Sequence, residues 1–168
     1  METTKFHQLC SAFGHAQDSF DNYRKESHLL AVELVKQLKE YYQIPESQFS
    51  LFKIDHNGQF DLVQPELVHA ISLMPDRYWH FGIGLTVCKA PETLPIEVII
   101  IHLKFKKNSQ NKFYVQYANN PEKFEIKKDN SALFITFFDF LFSEIISSYN
   151  NSLQLFIGEK TERKLGYV

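Results

Sequence analysis

Read from the N-terminus, apolar residues first recur every three to four positions. Phe20, Tyr23, Ser27, Leu30, Leu34, Leu38 and Tyr41 form one row, broadened by Ala31, Val35 and Tyr42. That spacing places them on one face of an amphipathic helix. Asp18 and Asp21 suit its N-terminal end, and Pro45 its stop. Arg24, Lys25, Glu33, Lys36, Gln37 and Glu40 supply its wet face. Residues 1–16 are expected to be loosely ordered.

The period then drops to two. Residues 49–55 and 59–63 flank His56-Asn57-Gly58, and Asn-Gly is a hairpin signal because both residues tolerate positive φ. A short helix is expected from Pro65 to about residue 73, then a turn at Met74-Pro75-Asp76-Arg77. Residues 78–88, 96–106, 112–118 and 123–127 read as strands. Short strands joined by tight turns make an antiparallel meander. Gly82 and Gly84 fall inside the first of these, where glycine marks a bulge or the close approach of a backbone or aromatic ring. The run Val98-Ile99-Ile100-Ile101 does not alternate, so its strand is expected to be central and covered on both faces.

A second helix is expected over residues 131–149, capped by Asp129-Asn130-Ser131. Leu133, Phe134, Ile135, Phe137, Phe138, Phe140, Leu141, Phe142, Ile145 and Ile146 make it apolar on nearly every side. Such a helix should be buried all round, by the first helix or by another subunit. Residues 152–157 suggest a last strand, and residues 159–168 a loosely ordered tail. The sum is one α+β domain over residues 1–168. Its antiparallel meander of four to six strands packs with a long N-terminal helix and a Phe-rich C-terminal helix.

Composition supports a real core. The chain has 168 residues, with 16 Phe, 8 Tyr and 1 Trp. That aromatic content excludes a disordered or low-complexity protein. The net charge is −2, which gives no general pull toward nucleic acid or anionic lipid. Its distribution is uneven: residues 1–100 hold 8 basic and 13 acidic side chains, residues 101–168 hold 10 and 7. Cys10 and Cys88 have neither a CxxC nor a metal-site spacing, so both are expected to be reduced thiols. Residues 1–20 lack a secretory pattern, and the apolar stretch over residues 132–142 is too short for a bilayer, which needs about 20 residues.

Candidate chemistry is sparse. None of the seven His pair at HxxxH or HxH spacing. His80 and His102 fall on strands expected to be neighbours, with Asp76 just before, so an acid–base or metal site there is conceivable. Asp76 with Glu125-Ile126-Lys127 faintly suggests a magnesium-dependent nuclease, but two strands intervene. The Asp55–Asp61 hairpin lacks the closing Glu of a calcium loop. There is no GxSxG elbow and no phosphate-binding glycine loop. No cofactor and no metal site are expected, and no catalytic residue is assigned. The densest mixture of cation, aromatic and imidazole is Arg77-Tyr78-Trp79-His80-Phe81. The candidate ligand- or partner-binding residues are therefore Arg77, Tyr78, Trp79, His80, His102 and Tyr117.

The functional expectation is a small cytoplasmic, non-enzymatic interaction or binding protein. It would be a homodimer or have a protein partner, with no membrane and no nucleic acid. The alternative is a small-molecule-binding or hydrolytic domain with a site near Arg77, His80 and His102. Nucleic-acid binding through the lysines of residues 104–128 is the third reading.

Overall fold

A computed structural model describes residues 4–63, 66–91, 93–94, 96–118, 120–152 and 166–167. The first helix, α1, runs over Lys5–Tyr42. It starts at Thr4, whose hydroxyl accepts a hydrogen bond from the His7 amide at 3.2 Å. It ends at Gln43, in the left-handed region with φ 53°. The helix thus includes residues 5–16, read from the sequence as loosely ordered. At about 1.5 Å per residue it is roughly 57 Å long, more than the sheet beneath it can cover. Its buried residues are Ser27, Leu30, Ala31, Leu34, Val35 and Leu38, all in its second half. Ser27 is accommodated there because its hydroxyl donates to the Tyr23 carbonyl at 2.8 Å.

A single 3₁₀ turn, Glu46–Gln48, leads into β1 (Phe49–Ile54), which pairs antiparallel with β2 (Phe60–Leu62). Asp55 closes this hairpin by accepting the amides of Asn57 and Gln59, each at 2.8 Å. Of the Asn-Gly pair only Gly58 has positive φ, at 77°. A single helical turn, α2 (Leu67–Ala70), and the short β3 (Ser72–Leu73) follow. The helix expected from Pro65 is cut to that one turn, and Pro65 itself lies outside the described residues.

The centre of the sheet is β4 (Trp79–Cys88) paired with β5 (Ile96–Lys107) along the whole of β4. β6 (Phe113–Tyr117) and β7 (Phe124–Ile126) continue it, in the order β2-β1-β4-β5-β6-β7. β3 pairs with β4, and β8 (Gly166–Tyr167) pairs with β5 at Ile99 and Ile100. Every pairing is antiparallel. The fold is α+β. Of the strand expected at 152–157, Ser152 instead continues the helical end, and residues 153–157 and most of the tail lie outside the described residues.

Both α1 and α3 (Ser131–Asn150) pack on one face of this sheet. Leu51, Phe81, Ile83, Ile101, Leu103, Phe105 and Val115 meet Leu34, Leu38, Phe134, Phe137, Phe138 and Leu141 in one core. Tyr42 links the helices by donating to the Phe138 carbonyl at 2.6 Å. Burial and the nearby Asp139 carboxylate raise its phenol pKa. The non-alternating run behaves as expected, since Ile99, Ile100 and Ile101 are all buried.

α3 is not covered on every side by α1. It packs on β7 and along α1, and one side stays wet. Ile135, Phe142 and Ile146 are 39–54% exposed. By length and composition alone this helix is long and apolar enough to cross a membrane. In this fold, however, Phe134, Phe137, Phe138, Leu141 and Ile145 are the floor of the core.

Candidate functional site

Strand alternation sends successive side chains of β4 and β5 to opposite faces. Trp79, Phe81, Ile83 and Leu85 face the helices, as do Ile99, Ile101, Leu103 and Phe105. His80, Gly82 and Gly84 therefore face away, with Ile100, His102 and Lys104. The register pairs His80 with Lys104 and Gly82 with His102, so the two histidines are diagonal neighbours.

Their rings meet. His80 Nδ1 lies 2.8 Å from His102 Nε2. His80 Nε2 lies 3.0 Å from both carboxylate oxygens of Asp76. Asp76 is aimed by its own turn, because its Oδ1 also accepts the Tyr78 amide at 3.0 Å. Lys104 Nζ sits 3.8 Å from Asp76. The ammonium groups of Lys104 and Lys106 lie over the Tyr78 ring, 4.8 and 4.5 Å from its centre. Phe60 closes the cluster edge-on to His102, with ring centres 5.9 Å apart.

Protons in this chain follow from charge. Burial pushes the Asp76 carboxyl up, but the Tyr78 amide, His80 and Lys104 outweigh it and hold its pKa below the usual value. Asp76 is thus ionised at neutral pH and only accepts. His80 must carry its proton on Nε2. Burial lowers the His80 pKa, partly offset by Asp76, so Nδ1 of the neutral ring is bare. His102 then donates from Nε2, which leaves its Nδ1 with a lone pair. Burial, helped by His80 and Lys104, lowers the His102 pKa to about 4. The arrangement is a polarised Asp–His–His chain ending on one unprotonated nitrogen, His102 Nδ1. Both His80 nitrogens are spent within the chain. Among the described residues no group of three His, Cys, Asp or Glu side chains is placed to hold a metal ion.

The six residues singled out from the sequence do not converge. Tyr78, His80 and His102 share the sheet face that points away from the helices, where His80 is itself buried. Trp79 and Tyr117 point the other way and are buried in the core at 4% and 5% exposure. Trp79 packs edge-on against His28 and beside Tyr23, at 5.4 and 6.1 Å between ring centres. Arg77 is an exposed turn residue with φ 65°. Glu125 pairs with Lys112 at 3.4 Å, three strands from Asp76, so a nuclease pair does not assemble. Two open apolar grooves of about 700 and 690 Å³ lie elsewhere. One is between α1 and the β1–β2 hairpin, around Val35, Lys39, Phe49 and Leu67. The other is under the ends of α1 and α3, around Tyr42, Leu85, Phe142 and Tyr149.

Sequence reasoning missed the first half of α1. Every residue from 4 to 20 is exposed except the half-buried Gly14. Yet Phe6, Leu9 and Phe13 lie there at 70%, 69% and 67% exposure, and Phe20 follows at 44%. Their three- and four-residue spacing, with Ala16 between Phe13 and Phe20, was the available signal.

Comparison with known proteins returns no match to a family model, a curated protein or a solved structure.

Proposed function

We propose that this is a small cytoplasmic interaction protein without catalytic activity that works as a self-associated assembly. The observation that carries this reading is the first half of α1. A folded chain does not hold Phe6, Leu9 and Phe13 in water without a partner, because aligned exposed apolar groups mark interaction surfaces. The exposed thiol of Cys10 suits a reducing compartment. Sedimentation velocity over a wide concentration range tests the reading. A concentration-dependent dimer or larger species is expected, and a strict monomer at every concentration overturns it.

A second reading keeps a small-molecule or hydrolytic site at Asp76, His80 and His102, with Arg77 at its rim. Its support is the ordered hydrogen-bonded chain ending at His102 Nδ1. Against it, neither apolar groove includes these residues. Nitrogen NMR of the His102 ring decides: a Nδ1 resonance that never responds to a panel of carboxylate, phosphate and nucleotide ligands dismisses it.

A further inference from the structure

From Phe6 to Leu34 α1 keeps a seven-residue pattern. Phe6, Phe13, Phe20, Ser27 and Leu34 occupy one core position, and Leu9, Ala16, Tyr23 and Leu30 the other. The row is continuous, but its environment changes. Ser27, Leu30 and Leu34 are buried against the protein's own sheet and α3, whereas Phe6, Leu9, Phe13 and Ala16 meet solvent. Tyr23 marks the boundary, touching Trp79 and Phe113 with ring centres 6.1 and 6.4 Å away. The free part is therefore a coiled-coil seam lacking its second helix.

We infer that the missing helix is the same segment of a second copy, running antiparallel. This deepens the self-association proposed above and rests on it. Three observations select the partner and its direction. The first is charge. Residues 6–17 contain no Asp, Glu, Lys or Arg, while Lys5 stands at one end and Asp18 and Asp21 at the other. Antiparallel pairing sets Lys5 of each copy beside Asp18 of the other. Parallel pairing sets like charges together. Antiparallel helix dipoles also put each positive N-terminus near the partner's acidic residues.

The second is space. A parallel partner following the seam past Tyr23 collides with the sheet that already occupies that face. An antiparallel partner does not. With Leu9 facing Phe13 of the other copy and Phe6 facing Ala16, the start of the partner helix at Lys5 falls opposite Gln17, before Tyr23. Large residues then meet small or medium ones in every layer, and the contact is self-complementary, as a two-fold axis requires.

The third is area. Phe6, Leu9 and Phe13, the large residues opposite the partner helix, leave roughly 400 Å² exposed per copy. A two-fold pair covers about 800 Å² of it before the flanking residues are counted, against a lower bound of about 1,200 Å² for stable complexes. Cys10 and Ala12 flank the axis, and their small side chains let the helices approach.

The test uses the full chain. Sedimentation should give a dimer, and a bismaleimide cross-linker should join Cys10 to Cys10 of the other copy. Phe13→Glu should weaken that dimer at least about thirtyfold, the loss typical of a central anchor. Its thermal midpoint measured on the monomer should not change, because residue 13 touches no core residue. Cys10→Ser combined with Ala16→Cys should fail to form a disulfide, since Ala16 faces Phe6; a rapid disulfide there means parallel packing and overturns the geometry. A dimer that survives both Phe13→Glu and Leu9→Glu places self-association elsewhere, so this inference fails while the function proposed above stands. A strict monomer defeats both.

Discussion

Acidification from pH 7 to pH 5 is the sharpest perturbation of the Asp76–His80–His102 cluster. A free histidine titrates near 6.5, whereas the folded His102 ring titrates at about 4. The folded value is depressed, so the stability contributed by a neutral His102 is complete above pH 6.5 and is lost as pH falls toward 4. Within that window the unfolded chain holds nearly one proton more than the folded chain. Linkage then gives about 2 kcal/mol lost between pH 7 and pH 5, trimmed toward about 1 kcal/mol by the solvent that reaches the half-buried ring. His80 and His28, both lowered chiefly by burial, add in the same direction. Urea denaturation of the wild type and of His102→Gln at pH 7, 6 and 5 isolates the His102 share. Glutamine keeps a donor toward His80 but cannot be protonated. The variant should lose about 1 kcal/mol less than the wild type between pH 7 and pH 5. Parallel curves for the two proteins would refute the proton assignment along Asp76, His80 and His102.

Three further substitutions probe the fold. Gly84→Ala should cost about 1–3 kcal/mol by overpacking, because a Cβ there would lie 2.2 Å from Ser50 Oγ and 2.5 Å from the Phe52 ring. Combined with Phe52→Ala in a denaturant double-mutant cycle, the two losses should fall short of additive. Arg77→Gly should raise the midpoint of thermal unfolding by relieving a left-handed residue at φ 65°, worth up to about 1 kcal/mol, while Arg77→Ala should not. Phe137→Ala, which empties a fully buried site beside Phe124 and Phe138, should cost about 3–5 kcal/mol by chemical denaturation.

Elements with a strong local period were legible in the chain itself. β4, β5, β6 and α3 begin and end within a residue or so of their expected limits, because each is bounded by Pro, Gly or Asn turns. The start of α1 was not. Its residues 6–17 lack the charged wet face that made the second half stand out, and Gly14 interrupts them. What covers α3 was also hidden, since periodicity describes one helix and says nothing of which neighbours surround it. Of the site, the meeting of His80 and His102 follows from strand order, and Asp76 from its turn. That Trp79 and Tyr117 leave for the opposite face is strand parity, which a shift of one residue reverses.

The Phe52 ring lying over Gly82 and Gly84 acts as a check on pairing as the chain assembles. Strands in an antiparallel sheet can slide by two residues without changing which face is apolar, so hydrophobic patterning alone does not detect that error. In β1 against β4, a two-residue slide in either direction moves the ring past the notch the two glycines make, toward His80 or Thr86. The misaligned pair then meets a side chain where the correct one meets none. A single aromatic and two missing Cβ atoms thus select one alignment of the outer hairpin from several that burial would tolerate equally.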